Sequence, residues 1–123
     1  MIYATLEEYK ASYSTIEQDA DIEKALKKAS RHVDTLTFNR IHGIGFENLS
    51  PFQKEIVKEV TCNLADFEYE NQELITSVFS SYSINGVSMN FGNSWNVKVM
   101  MGVAIPTDLY ETLKQSGLCT RGL

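Results

Sequence analysis

Two histidines and two cysteines are the side chains in this sequence with the clearest potential for acid–base, nucleophilic or metal-binding chemistry. Neither His32 nor His42 has a cysteine or carboxylate at the spacing of a known metal-binding pattern. Cys62 and His32 could act as nucleophile and base only if the fold brought them together. Isolated histidines and cysteines, including Cys119, are more often ordinary core or surface residues. We therefore predict no catalytic residue, no metal and no cofactor.

A glycine-containing loop and the many carboxylates are two further places where chemistry could occur. The loop Gly43-Ile44-Gly45 lacks the GxxxxGK motif of a phosphate-binding loop and does not follow a predicted strand. Acidic residues are plentiful on the predicted helices, yet no pair of them stands in a context that forms a pocket. The pattern therefore favours a protein that is not an enzyme.

Length and composition indicate one globular domain covering residues 1–123, with a short C-terminal tail at 118–123. The sequence is 43% hydrophobic and 22% charged, values typical of a folded, water-soluble chain. No apolar run approaches the ~20 residues of a membrane span, and the first residues lack the basic-then-apolar order of a signal peptide. We therefore expect a cytosolic product with reduced cysteines and no membrane contact.

Charged residues are unevenly distributed along the chain. The net charge of −5 argues against general binding to nucleic acid phosphates. Nearly half of the basic residues nonetheless fall in one segment: Lys24, Lys27, Lys28, Arg31 and Arg40. The next segment is acidic: Glu47, Glu55, Glu59, Asp66, Glu68, Glu70 and Glu73. One interpretation is two solvated helix faces that attract each other, and the other is a self-association surface with complementary ends.

Capping boxes mark the start of two predicted helices. Thr5 and Glu8 fit such a box and open a short helix that runs to about residue 11. Ser50 and Gln53 form a second box, with Pro51 at the first helical position, where its missing N–H costs nothing. The helix that follows carries an apolar stripe interrupted near Asn71: Phe52, Ile56, Val60, Leu64, Phe67, Leu74, Ile75 and Val78.

A long helix is predicted between these two. It begins at Asp19 or Asp21, where acidic residues suit the helix dipole, and runs to about Arg40, before the glycines of the loop at 42–45. Its apolar residues recur at spacings of three and four: Ile22, Ala25, Leu26, Ala29, Val33 and Leu36.

The stretch SYSINGVSMNF at 81–91 predicts a β-hairpin. Asn85-Gly86 is the strongest short signal for a two-residue turn, because both residues tolerate positive φ. In this register one face is apolar and the other carries serines and Asn90; the apolar face holds Tyr82, Ile84, Val87, Met89 and Phe91. The apolar face either covers the helices or, with Trp95 and the free edges, reaches a neighbouring subunit.

The C-terminal third adds one more extended segment and a last helix. Alternation from Trp95 to Ile105 suggests extended chain and allows a third short strand. Pro106 can open a helix over Thr107 to Gln115, and Gly117 fits the glycine position that ends it. We therefore predict a mainly α fold: about four helices, two of them long, with one β-hairpin.

The order of these parts, with SYSINGVSMNFG in the middle and IPTDLYETLKQSGLCTRGL at the end, resembles the head–tail connector (adaptor) proteins of long-tailed double-stranded DNA phages and their prophages. The likeness covers nearly the whole chain. It implies a structural virion protein that is present in the host cytoplasm during assembly. Members of that family form rings, commonly of twelve copies, beneath the portal of the DNA-filled head.

The resemblance also implies partners. They are further copies of the same chain, the portal protein, and the stopper or tail-completion protein, while DNA passes through the ring without specific binding. It allows an isolated chain to stay monomeric until it meets its portal. The family has no catalytic residues to carry over. Subunit or portal contacts are expected in the hairpin and the tail: Tyr82, Ile84, Asn85, Gly86, Val87, Met89, Phe91, Trp95, Leu118, Arg121 and Leu123.

An alternative function follows from the basic segment alone. Lys24, Lys27, Lys28, Arg31 and Arg40 on one helix are also compatible with a small helical DNA-binding or regulatory module.

Overall fold

A computed structural model describes residues 2–76 and 97–119 of the chain. The described part is mainly helical with one two-stranded antiparallel hairpin, which confirms the predicted fold class. In chain order its elements are α1 (Leu6–Ser12), α2 (Asp19–Leu36), α3 (Arg40–Ile44), a 3-10 turn (Phe46–Asn48), α4 (Pro51–Glu70), β1 (Val97–Met100), β2 (Val103–Pro106) and α5 (Thr107–Lys114).

Both predicted capping boxes are confirmed. The Thr5 hydroxyl accepts a hydrogen bond from the Glu8 backbone N–H at 3.1 Å, and the Glu8 carboxylate accepts one from the Thr5 N–H at 2.9 Å. The hydroxyl of Ser50 and the side chain of Gln53 make the same reciprocal pair at the start of α4. These bonds satisfy backbone N–H groups that have no partner inside the first helical turn.

The predicted end of α2 near Arg40 is wrong, because the helix stops at Leu36. Phe38 and Asn39 both have positive φ, at 53° and 60°, and a helix cannot continue through two left-handed residues. A new short helix, α3, then uses residues that were predicted to form the glycine loop. The glycine that does end a helix is Gly45, with φ of 92°.

The core lies between α2 and α4, with α1, β2 and α5 packed around it. Most of the two predicted apolar stripes is buried there: Ile22, Leu26, Ala29, Val33, Leu36, Ile56, Val60 and Leu64. Two predicted stripe residues are corrected, since Phe52 is 56% exposed and Leu74 is 47% exposed. The predicted interruption near Asn71 is confirmed, because Asn71 caps the end of α4.

The extended segment predicted from residue 95 to 105 is a hairpin rather than one strand. Val97 pairs with Pro106 and Met100 with Val103, so the chain reverses at Met101 and Gly102. Both turn residues have positive φ, at 52° and 77°, as a tight hairpin turn requires. The hairpin predicted at 81–91 lies outside the described residues.

The last helix follows β2 directly. Pro106 was predicted to be the first helical residue, but it is the N-cap, and the helix begins at Thr107 and ends at Lys114. Gly117 has φ of 77° and its N–H donates to the Lys114 carbonyl at 3.0 Å, so its predicted role in ending the helix is confirmed. Leu118 then turns inward and is 3% exposed.

Candidate functional site

A histidine and a glutamate join the two long helices. His32 on α2 is hydrogen-bonded through Nδ1 to Oε2 of Glu68 on α4. Because an ionised carboxylate can only accept, the histidine is the donor. The Glu68 side chain is 8% exposed and that of His32 is 25% exposed. The second Glu68 oxygen, Oε1, is buried and has no hydrogen-bond partner among the described residues.

A cleft of about 520 Å³ lies beside this pair, where α2 begins and α4 ends. Its walls are formed by Asp21, Lys24, Ala25, Lys28, Glu68, Tyr69 and Gln72. A second cleft of about 210 Å³ shares Lys28, Glu68 and Gln72 with the first and is also lined by His32. Glu68 therefore lies on the boundary between the two clefts. Among the ionisable residues of the described chain, only Glu68 and Lys28 line both of them.

The outer face of α2 is a continuous basic surface. Lys24, Lys27, Lys28 and Arg31 are all exposed and recur at spacings of three and four, opposite the buried stripe. None of them makes an ion pair with any described residue. We call these four residues the basic face. Arg40, the fifth basic residue of this segment, lies beyond α2 and is half-buried.

The outer face of α4 is acidic. Glu55, Glu59 and Glu70 are exposed, and none forms an ion pair within residues 2–76 and 97–119. We call these three residues the acidic face. Because α2 and α4 pack together through their buried sides, the two charged faces point away from each other. Only His32 and Glu68 join the two helices by an ion pair in the described chain, so the interpretation that the faces attract each other within one molecule loses its basis.

Two buried tyrosines hold the N-terminal segment against both long helices. The Tyr3 hydroxyl donates to Asp34 on α2, and the Tyr9 hydroxyl donates to Asp66 on α4. Tyr9 also accepts a hydrogen bond from the backbone N–H of Ile16 at 3.1 Å. Burial, and then the neighbouring Asp66 carboxylate, raise the pKa of Tyr9 to about 12.

Replacing Tyr9 with phenylalanine is expected to lower the free energy of unfolding by about 1–3 kcal/mol. The change leaves the buried N–H of Ile16 and the Asp66 carboxylate without their partner while the ring still fills its place. Urea denaturation followed by circular dichroism measures the loss. Tyr69→Phe is the matched control, because Tyr69 is 37% exposed; equal stability of both variants would contradict the role given to the Tyr9 hydroxyl.

The two cysteines are unsuited to nucleophilic chemistry. Cys62 is 4% exposed and lies in the core. Burial, followed by the Glu8 and Asp66 carboxylates, raises its pKa to about 11. Burial also raises the pKa of Cys119 to about 11. His32 is bonded to Glu68, and no hydrogen bond joins it to Cys62, so the described chain does not form the nucleophile and base considered above.

The free energy of unfolding is expected to fall as the pH rises from about 8 to about 10. The Cys62 thiol ionises near pH 8.5 in an unfolded chain, at about its ordinary pKa, but only near pH 11 in the folded one. The stabilisation from this group is therefore complete below the unfolded pKa and is lost as the pH approaches the folded value. Urea denaturation across this range measures it, and Cys62→Ala should flatten the dependence; an unchanged slope would contradict the assignment.

The predicted contact residues fall mainly outside the described part of the chain. Ten of the eleven lie in 77–96 or 120–123: Tyr82, Ile84, Asn85, Gly86, Val87, Met89, Phe91, Trp95, Arg121 and Leu123. Leu118 is described and belongs to the core. Its side chain therefore helps to fix the end of α5 rather than forming surface.

Two residues of the cleft, Tyr69 and Gln72, were not singled out from the sequence, and Glu68 was predicted only as one of the acidic residues of its segment. A signal for Glu68 does exist, because it stands four residues after Leu64 and so continues the buried side of α4. A carboxylate at a buried helix position indicates a specific partner elsewhere in the fold. Nothing local identifies that partner as His32.

The described chain is a small, mainly helical domain with one antiparallel hairpin and two oppositely charged helix faces. Comparison with protein-family models, characterised proteins and solved structures finds no match for it. Within residues 2–76 and 97–119, no three histidine, cysteine or acidic side chains lie close enough to hold a metal ion. None of the described helices is long and apolar enough to cross a membrane.

Proposed function

We propose that this protein is a structural virion protein of a phage or prophage, a ring-forming adaptor between the portal of the head and the stopper or tail. In this function it extends the channel through which DNA passes. The proposal rests on the whole-chain likeness to head–tail connectors and on one structural observation: the faces of α2 and α4 are oppositely charged and form no ion pairs with the described residues.

The two faces suit the contact that a ring needs. In a closed ring each subunit uses one surface toward one neighbour and a different surface toward the other. The basic face carries four positive charges and the acidic face three negative ones, and they point away from each other. Copies placed side by side can therefore join the basic face of one to the acidic face of the next. Charge complementarity of this kind favours encounter in the correct orientation.

The net charge also suits a wall along which DNA slides. A chain of net charge −5 repels phosphates more than it attracts them. In the contact proposed above each subunit covers four positive and three negative charges, so the remaining surface of a ring stays net negative. DNA can then pass without tight binding.

Sedimentation with portal rings tests the proposal. The purified full chain is mixed with its cognate portal protein, and the mixture is centrifuged at several salt concentrations. We expect the chain to travel with the portal ring at low and moderate salt. Failure to co-sediment under every salt condition would overturn the adaptor function.

The same basic face favours a second candidate, a small helical module that binds DNA. Four exposed cations without partners among the described residues are a possible footprint for a phosphate backbone. This function predicts that the chain retards duplex DNA in a gel and that binding weakens steeply with salt, by the release of about four counterions. Absence of retardation at low salt would exclude it.

A further inference from the structure

The buried carboxylate of Glu68 has one oxygen whose hydrogen bond is missing. Oε2 is bonded to His32, while Oε1 has no donor among the described residues although both atoms are inside the protein. A buried carboxylate oxygen without a donor is unfavourable, and such groups in folded proteins are almost always satisfied by protein, water or ligand. Glu68 also lines both adjoining clefts. The acceptor without a donor therefore belongs to a residue that lines an open space, although the oxygen itself is covered.

The larger cleft has the size of a small-molecule site. Its volume of about 520 Å³ lies within the range of about 300–1,000 Å³ that is usual for ligand pockets. The adjoining cleft of about 210 Å³ shares three lining residues with the larger one: Lys28, Glu68 and Gln72. A planar ring system with one charged substituent fits a space of this size.

The walls of the cleft offer three kinds of contact. Lys24 and Lys28 stand one helical turn apart and present two cations to an anionic group. Tyr69 is 37% exposed and offers an aromatic ring for stacking. Glu68 offers an acceptor for an N–H donor, and Asp21 offers a second carboxylate that can accept from sugar hydroxyls.

We propose that this cleft binds a nucleoside monophosphate, and that guanine is the preferred base. The phosphate lies against Lys24 and Lys28, the base stacks on Tyr69, and an N–H of the base donates to Oε1 of Glu68. Stacking on an aromatic side chain accepts every base, so base preference comes from Glu68.

Guanine is preferred because of the donors on its pairing edge. Its ring N–H and exocyclic amino group are adjacent, with no acceptor between them, so a carboxylate meets donors only. Uracil presents a single N–H between two carbonyl oxygens, both of which repel a carboxylate. Adenine and cytosine offer an amino group beside an acceptor nitrogen and should bind with intermediate affinity.

The unliganded cleft is partly closed over the carboxylate. Oε1 is covered, so a base reaches it only after a neighbouring side chain turns aside. Lys28 and Gln72 are exposed, are long and flexible, and line both clefts. The proposal therefore requires that side chains lining the clefts, such as these two, turn aside to expose Oε1.

Isothermal titration calorimetry of the full chain with guanosine monophosphate tests the proposal. We expect binding to guanosine monophosphate, weaker binding to guanosine and to inorganic phosphate, and binding to uridine monophosphate about tenfold weaker or more. Lys28→Ala and Tyr69→Ala should each weaken guanosine monophosphate binding by about tenfold. Both residues are at the surface, so both variants should fold.

Lys27→Ala is the matched control, because Lys27 is on the same helix face but does not line the cleft. It should leave affinity unchanged. Glu68→Gln should abolish the preference for guanine over uracil while part of the affinity remains. The proposal would be overturned if millimolar guanosine monophosphate gave no heat of binding, or if Lys27→Ala and Lys28→Ala lost affinity equally. In either case a buried water would satisfy Oε1 of Glu68. The calorimetry uses the isolated chain, in which no neighbour covers Lys24 and Lys28, so its outcome can be separated from that of the portal co-sedimentation.

Discussion

Replacing Leu64 with alanine is expected to lower the free energy of unfolding by about 2–5 kcal/mol. Leu64 lies on the buried side of α4 and is fully inaccessible. Removing most of its side chain loses apolar burial and leaves a cavity that the surrounding helices fill only in part. Since small domains are stable by about 5–15 kcal/mol in total, this is a large fraction of the stability. Urea denaturation monitored by circular dichroism measures the change.

Leu74→Ala is the matched control for Leu64. The sequence pattern places both leucines on one apolar stripe, but Leu74 lies beyond the end of α4, in the helical residues 72–76, and is 47% exposed. Its replacement should therefore change the free energy of unfolding by no more than about 0.5 kcal/mol. Comparable losses in the two variants would mean that the stripe continues past Asn71, contrary to the fold described above.

Helix starts were predicted well because their cause is local. Thr5 with Glu8 and Ser50 with Gln53 are three residues apart, so the bonds that define each start can be identified from neighbouring letters. Helix ends were predicted less well. Asn39 tolerates positive φ, but nothing identifies the left-handed conformation of Phe38, which the tertiary fold imposes.

The hairpin at β1 and β2 shows the limit of turn signals. Asn-Gly is a strong turn signal, whereas Met101-Gly102 is not, since methionine rarely adopts positive φ. Alternation alone therefore suggested one continuous extended segment. The turn that pairs Val99 with Ala104 has two residues, Met101 and Gly102. Of these two, only Gly102 favours positive φ.

The candidate site was predictable in its charges but not in its pairings. The basic face was visible as four cations in one segment. The contact of His32 with Glu68 spans 36 positions, and that of Tyr9 with Asp66 spans 57. Contacts of this range depend on how α1 and α2 are placed against α4, which periodicity does not specify.

Reversing the charge of either face alone is expected to prevent ring formation, and mixing the two reversed chains is expected to restore it. In Lys27→Glu/Arg31→Glu the basic face changes from four positive charges to two positive and two negative ones, and the two reversed side chains meet an acidic neighbour. In Glu55→Lys/Glu59→Lys the acidic face becomes basic and meets a basic neighbour. Each variant alone therefore places like charges across the contact, which costs several kcal/mol at an interface.

The mixture is different, because each variant then supplies the surface that the other lacks. The reversed positions on α2 of the first fit the reversed positions on α4 of the second, and the unchanged faces fit each other, so the two chains should alternate around a ring. Analytical ultracentrifugation in the presence of portal rings measures assembly, and circular dichroism checks that both variants fold. All four positions are exposed and none lines the larger cleft, so nucleotide binding should persist in each variant before assembly.

This experiment also separates the adaptor from the DNA-binding module. For a DNA-binding function, Lys27→Glu/Arg31→Glu should abolish DNA retardation and Glu55→Lys/Glu59→Lys should strengthen it, since added cations attract phosphates. Mixing would then restore nothing, because each chain binds DNA by itself. Recovery of assembly only in the mixture requires a contact between two different faces of neighbouring copies, which a ring has and a monomeric DNA-binding module does not.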